Sequence, residues 1–409
     1  MIYKLEVFYN FANDFAFELD SDTAGLLDGD FTLAGELYQD ITQYLRSVSI
    51  RRGRSNIYGY NSAGQLNIEL NNFGREFDPT ITTSPVYGMV VPKSRVRLTI
   101  NDEVQFVGII QDWDLTFAPA GVSIAAFDAL DEFADWANRT LPAYTPASLQ
   151  TTSEAINEAL EQIGVFETPP EPSGTIMTDQ AVQAGTNALQ YVQKLATSDY
   201  GSLYIKKAGG WDYAPFSRRI TGLISLRIAA DVNKPISIAT VEYGTENLYN
   251  KVEITFADTG ETVTASDSAS IAKYGEFELN DSGSLISGDV FGVYGGVKAQ
   301  ELIELFSEPE LRIDSIQLNI GEYNSTAQDE VLGLELGDKV VVVYDPDDSG
   351  REIVRVSRII GIRHEINPNE HYVTFNFESS SSTPFVLNEI TLGRLDAGNY
   401  LERTFDFSI

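Results

Sequence analysis

The sequence predicts a mainly β protein with an α+β insert: two β-barrels of similar topology, plus a small α+β domain between them. Three observations carry this. First, one β unit occurs twice, about 245 residues apart. The first copy reads Ser94-Arg-Val-Arg-Leu-Thr-Ile100, then Val107-Gly-Ile-Ile-Gln-Asp-Trp-Asp-Leu115, then Val122-Ser-Ile-Ala-Ala-Phe-Asp128. The second reads Asp338-Lys-Val-Val-Val-Val-Tyr344, then Ile360-Gly-Ile-Arg-His-Glu-Ile366, then Tyr372-Val-Thr-Phe-Asn-Phe-Glu378. Each copy is a strand, a hairpin, a long strand opening on hydrophobic-Gly-Ile, a turn and a closing strand. Second, Leu66, Ile68 and Leu70 alternate with polar neighbours, the period of a half-buried strand. Third, helical periodicity concentrates between the two copies.

The elements follow in chain order. Residues 1–50 hold alternating segments broken by Asp/Gly turns such as Asp28-Gly-Asp30, and 38–49 lead as a strand into Ile50-Arg-Arg-Gly-Arg54. The stretch Phe73-Gly-Arg-Glu-Phe-Asp-Pro79 is a turn, because Pro79 holds Asp78 extended. A helix is expected over 126–139, with Phe127, Leu130, Phe133, Ala134 and Ala137 on one side. Thr151-Thr-Ser-Glu154 has capping-box spacing and opens a helix over 154–163 that Gly164 ends. A second helix over 186–199 buries Leu189, Val192, Leu195 and Ala196, and a hairpin follows over 202–213. Residues 248–256 form a strand, and 292–306 form one more helix before the second copy. The domains are therefore expected as 1–139, 140–235, 236–384 and a tail over 385–409.

Composition bounds the chemistry. A chain of 409 residues with 43% apolar content suits two to four globular domains. With no cysteine there are neither disulfides nor thiolate metal sites. The segment Met1-Ile-Tyr-Lys-Leu-Glu-Val-Phe-Tyr9 alternates like a strand and lacks signal-peptide form. No apolar run approaches a membrane span. A net charge of −32 repels nucleic-acid phosphates, which argues against sequence-specific DNA binding. The charge serves solubility or, in a channel, an acidic wall to which DNA does not stick.

Catalytic signatures are missing: there is no Gly-x-Ser-x-Gly elbow, no phosphate loop and no His-Glu-x-x-His. The two histidines, His364 and His371, share one hairpin and read as structural. Asp20-Ser-Asp-Thr-Ala-Gly25 and Asp345-Pro-Asp-Asp-Ser-Gly350 begin like calcium loops, but Phe31 and Val356 stand where the bidentate Glu belongs, so tight turns are expected. Trp113 and Trp136 suit core packing. Trp211, beside Gly209-Gly210, is expected to be exposed and, with Tyr213, is the candidate glycan platform. Arg51, Arg52 and Arg54 stand out in so acidic a chain. They read either as a solvated turn or as a subunit interface, with guanidinium forks on a neighbour's carboxylates.

Ser49-Ile-Arg-Arg-Gly-Arg54, Ala63-Gly-Gln-Leu-Asn-Ile-Glu-Leu-Asn-Asn72, Gly74-Arg-Glu-Phe-Asp-Pro79 and Ser84-Pro-Val-Tyr-Gly88 together resemble the N-terminal signature of minor tail proteins of long-tailed phages. Val86 stands where an aromatic is more usual. Asn250-Lys-Val-Glu-Ile254, Ser270-Ile-Ala-Lys-Tyr-Gly275, Leu336-Gly-Asp338, Ile360-Gly-Ile-Arg-His-Glu-Ile366 and Leu392-Gly-Arg-Leu-Asp396 resemble the baseplate hub and late-control protein class. The resemblance spans about 50–396. It implies hub-type barrels in a homotrimer at the virion tail tip, assembled in the host cytoplasm. It also implies contact with a distal tail or tail tube hexamer, the tape measure protein and downstream fibre or spike proteins. DNA would pass through the lumen without specific binding. No cofactor and no catalysis are implied. The rival readings are a distal tail ring, a tail-associated glycan hydrolase with unplaced carboxylates, and a carbohydrate-binding module.

Overall fold

The computed structural model describes residues 1–9, 37–55, 60–87, 90–117, 123–218, 222–229, 235–288, 293–346 and 352–379. The turn at 28–30, the first acidic loop and the C-terminal tail lie outside them. The first β unit contains β1 (Tyr3–Tyr9), β2 (Leu37–Asp40), β3 (Leu45–Gly53), β4 (Ser62–Asn71), β5 (Arg95–Ile100), β6 (Glu103–Thr116) and β7 (Ile124–Leu130). Next come α1 (Phe133–Trp136), α2 (Thr152–Glu161), α3 (Ala188–Ser198) and the hairpin β8 (Ser202–Ile205) and β9 (Trp211–Ala214). Strands β10 (Ile224–Ala229) and β11 (Ile236–Tyr243) return to the β region. A second excursion holds β12 (Lys251–Phe256), β13 (Thr262–Ser266), α4 (Ser268–Tyr274), β14 (Glu278–Ser284) and α5 (Val293–Phe306). The chain then runs through β15 (Leu311–Asn319), α6 (Ser325–Gly333), β16 (Lys339–Tyr344), β17 (Ile353–Asn367) and β18 (Glu370–Ser379).

The two expected β units are present and have matching strand orders. The first runs β1-β5-β6-β7-β4-β3 and the second β10-β16-β17-β18-β15-β11. One difference is that β10 joins β16 in parallel, whereas β1 joins β5 antiparallel. A ladder between β17 and β3 fuses both units into one 13-stranded sheet.

The registers define the equivalence of the units residue by residue. Ile110 and Ile359 hold the same place: Ile110 N–H donates to Ser94 O at 2.8 Å and Ile359 N–H to Asp338 O at 2.9 Å, each just before the neighbouring strand. Each is followed by a bulge, after which Asp112 pairs Asp128 and Gly361 pairs Asn376. The matching glycines of the sequence, Gly108 and Gly361, are therefore not equivalent; Gly361 matches Asp112, four residues further along. An even shift keeps every side chain on its expected face, so the pattern conceals the slip.

The core lies on one face of this sheet. Val48 and Ile50 of β3, Leu66, Ile68 and Leu70 of β4, and Phe375 and Phe377 of β18 belong to one buried cluster spanning both units. The Gly-Arg-Glu-Phe-Asp-Pro turn anchors there. Asn72 Oδ1 accepts from Phe77 N–H at 3.1 Å, Arg75 takes a left-handed φ of 61°, and Phe77 is buried beside Trp113.

Two expectations require correction. The helix expected over 126–139 is strand β7 followed by the single turn α1. Phe127 and Phe133 suit either period, but Ala125, Phe127 and Ala129 alternate into the core, and that burial decides the conformation. The domain limits also differ from 140–235 and 236–384. A second core cluster unites α1, α2, α3 and the β8–β9 hairpin with β12 and α5, so the helical layer is built from two chain segments. The isolated bridge Met177–Ile286 ties them together. The capping box is present as expected, with Thr151 N–H donating to Glu154 Oε2 at 2.9 Å.

Candidate functional site

Arg51 and Arg52 lie at the end of β3 and Arg54 just past it, where the two units meet. The β17–β3 ladder sets Gly361 opposite Gly53, Ile362 opposite Arg52, Arg363 opposite Arg51 and His364 opposite Ile50. Gly53 is required here: its φ is +82°, and a Cβ would lie 2.2 Å from Ile360 O. Alternation along β3 turns Arg52 to the buried side and leaves Arg51 exposed.

Arg52 and Arg54 are not on a solvated turn, and their partners belong to the same chain. Arg52 Nη2 lies 2.5 Å from Glu335 Oε1 and donates to Ile205 O at 2.8 Å, so one guanidinium links the first unit, the second unit and the insert. Glu335 also accepts from Lys207 N–H at 2.8 Å. Arg54 Nη2 lies 3.3 Å from Glu378 Oε2, and the other oxygen of Glu378 pairs with Arg358 directly across the β17–β18 ladder. Arg358 and Glu378 are each 1% exposed. Removing one member of such a buried cluster leaves uncompensated charge, so it fixes the geometry of the seam.

Beneath the seam, His364 Nδ1 and His371 Nε2 lie 3.0 Å apart, and Tyr3 Oη reaches His371 Nδ1 at 3.3 Å. Burial, together with the neighbouring His371, pushes His364 well below the ordinary histidine range; burial pushes His371 down to about 3. Both rings are therefore neutral at pH 7 and serve as a polar tie between β1 and the β17–β18 hairpin. Burial also raises Asp131 to about 6, although it accepts from Gly64 N–H at 2.7 Å.

The proposed glycan platform is contradicted. Trp211 is 2% exposed and Tyr213 fully buried, so neither offers a ring face to a sugar. Tyr213 Oη donates to Asp199 Oδ2, and the Trp211 backbone N–H donates to Glu167. Glu132, raised to about 7 by burial and by Glu167, accepts from Gly210 N–H at 3.1 Å. The hairpin turn is thus clasped by two acids and folded inward, an outcome that Gly209-Gly210 alone does not disclose.

The face of the sheet opposite the core is polar. A groove of about 700 Å³ runs over β17, β3, β4, β7 and β6, and Glu69, Asp114, Asp128 and Glu365 line it. Among the described residues, no group of three His, Asp or Glu side chains is arranged to hold a metal ion, and no helix is long and apolar enough to cross a membrane.

No family model matches the sequence, and no curated protein matches it. Solved structures do match in fold. A tail protein from Neisseria meningitidis MC58 superposes with a TM-score of 0.56 at 12% identity, covering 93% of this chain and 98% of that one. Prophage tail protein gp18 from Listeria monocytogenes EGD-e gives 0.52 at 13% identity, covering 93% and 95%. The 43 kDa tail protein of prophage MuSo2 from Shewanella oneidensis gives 0.51 at 13% identity, covering 85% and 95%. Over most of its length, then, this chain has the fold of phage tail proteins.

Proposed function

We propose that this chain is a structural, non-catalytic protein of a phage tail tip. Three copies form a hub whose six β units surround a channel, and the hub adapts the sixfold tail tube to threefold symmetry. The observation that carries this reading is the doubled unit joined through the β17–β3 ladder. Two like units held edge to edge are one third of a ring of six, and like subunits form closed rings. The polar, carboxylate-bearing face of the sheet supplies a wall for that channel. DNA and the tape measure protein would pass it without adhering, because the charge is of the same sign as phosphate. The distal tail or tube hexamer lies on one side of the hub and fibre or spike proteins on the other, in the virion. Arg51 remains the one arginine of the cluster whose exposed side chain suits a contact with another chain.

Mass measurement by light scattering or native mass spectrometry tests the reading. Three copies per particle, alone or on the tube protein, are expected. Six copies would move the chain to a distal tail ring, and a monomer that never joins the tube protein would overturn the proposal.

A further inference from the structure

The equivalence of the two units exposes a missing half-seam. β17 is covered twice over its length: residues 353–358 pair β16, and residues 361–366 pair β3. Its equivalent β6 is covered only once. Residues 103–109 pair β5, but along residues 111–116 the edge facing away from β7 pairs with no strand among the described residues. The strand equivalent to β3 is β11. Both begin with one pair, skip a residue, and continue: Leu45–Leu70 then Ser47–Glu69 in the first unit, Ile236–Leu318 then Ile238–Gln317 in the second. Both strands lead into a glycine, Gly53 and Gly244. Among the described residues β11 pairs with β15 alone, so its other edge also carries no described strand.

Burial follows the same division. Val48, Ile50, Ile362 and Ile366 at the formed seam are at most 5% exposed. Their equivalents on the open edges, Ala239, Val241, Trp113 and Phe117, are all more exposed, with Phe117 at 50%. Beside them on β11, Ile238 is 57% and Tyr243 70% exposed. Two long open edges with uncovered apolar side chains are a standing risk of uncontrolled pairing unless something covers them. The chain already contains the complement of each: β11 is built like the strand that covers β17, and β6 like the strand that β3 covers.

We propose that residues 112–116 of β6 in one copy pair antiparallel with β11 of the next copy, in the register of the internal seam. Transferring that register sets Asp112 opposite Gly244, Trp113 opposite Tyr243, Asp114 opposite Glu242, Leu115 opposite Val241 and Thr116 opposite Thr240. The contact is head to tail, first unit to second unit, so it repeats the step between units within the chain. That it closes after three copies rests on the ring reading above.

The chain contains no cysteine, which permits a direct test. Residues directly opposed across antiparallel strands have Cα atoms about 4.5–5.5 Å apart, within disulfide reach. The double variant T116C/T240C, oxidised in the assembled state, is expected to run as covalent dimers and trimers on denaturing gels. Each single variant should stay monomeric there. Non-covalent trimers that resist cross-linking at this pair would overturn the seam while leaving the hub intact. An intramolecular disulfide in a monomer would overturn the seam as well. Absence of both trimer and cross-link, with the tube protein present, would overturn both readings.

Discussion

β3 and β11 occupy the same place in their two units, carry the same bulge and lead into the same residue, yet one is buried and the other open. The difference lies wholly in what stands beyond them. β3 has β17; β11 has no strand on that side among the described residues. Burial is therefore a property of the neighbour as much as of the strand, and each substitution can be paired with its counterpart to show this.

The largest effect is expected at the buried Arg54–Glu378–Arg358 cluster of the formed seam. Glu378→Gln removes the buried carboxylate charge that Arg358 and Arg54 share and should cost about 3–5 kcal/mol, read by chemical denaturation. Gly53→Ala should cost on the order of 3 kcal/mol, because a left-handed φ and the Ile360 carbonyl both reject a Cβ. At Gly244 a Cβ meets nothing within 4 Å, so Gly244→Ala should change monomer stability by less than about 0.5 kcal/mol. Equal losses at the two glycines would break the comparison.

The histidine pair sharpens it further, since Leu115 stands where the second unit has His364. Both histidines are neutral in the fold, whereas the unfolded chain binds protons at them below about pH 6.5. The unfolded state therefore takes up more protons as pH falls, and stability drops from about 6.5 down toward the folded value of His371 near 3. By pH 5 the loss from His371 alone should be about 2 kcal/mol, with His364 acting in the same direction. Asp131 and Glu132, raised by burial, act in the opposite sense, so the informative quantity is the wild-type slope minus that of His371→Asn. Parallel slopes would remove the histidines from the account.

The smallest effect concerns charge. The internal seam sets Arg51 opposite Arg363, and the proposed outer seam sets Asp114 opposite Glu242. Like charges across a strand pair repel, so Asp114→Lys should strengthen association between copies by about 0.2–1 kcal/mol, visible as a lower dissociation constant.

Much of this was legible before the structure. The two strand-hairpin-strand units, the capping box at Thr151 and the amphipathic helices follow from local periodicity, which the residues themselves carry. The partners of Arg52 and Arg54 were not legible, because Glu335 and Glu378 lie hundreds of positions away and only the fold brings them near. The inward turn of Trp211 depends on Glu132 and Glu167, which no spacing rule connects to it. The joining of β12 and α5 to the helical layer was equally hidden, since sequence order placed them with the second β unit.

The ladder from β17 to β3 has one more consequence, in entropy. Six separate units closing a circle would surrender the translational and rotational freedom of five associations, each costing on the order of 4–15 kcal/mol. Three chains that each carry one such joint ready-made surrender only two. In the proposed ring the joint inside the polypeptide would be buried and ionic without regard to reversibility, and the joint between polypeptides would be free to be weaker.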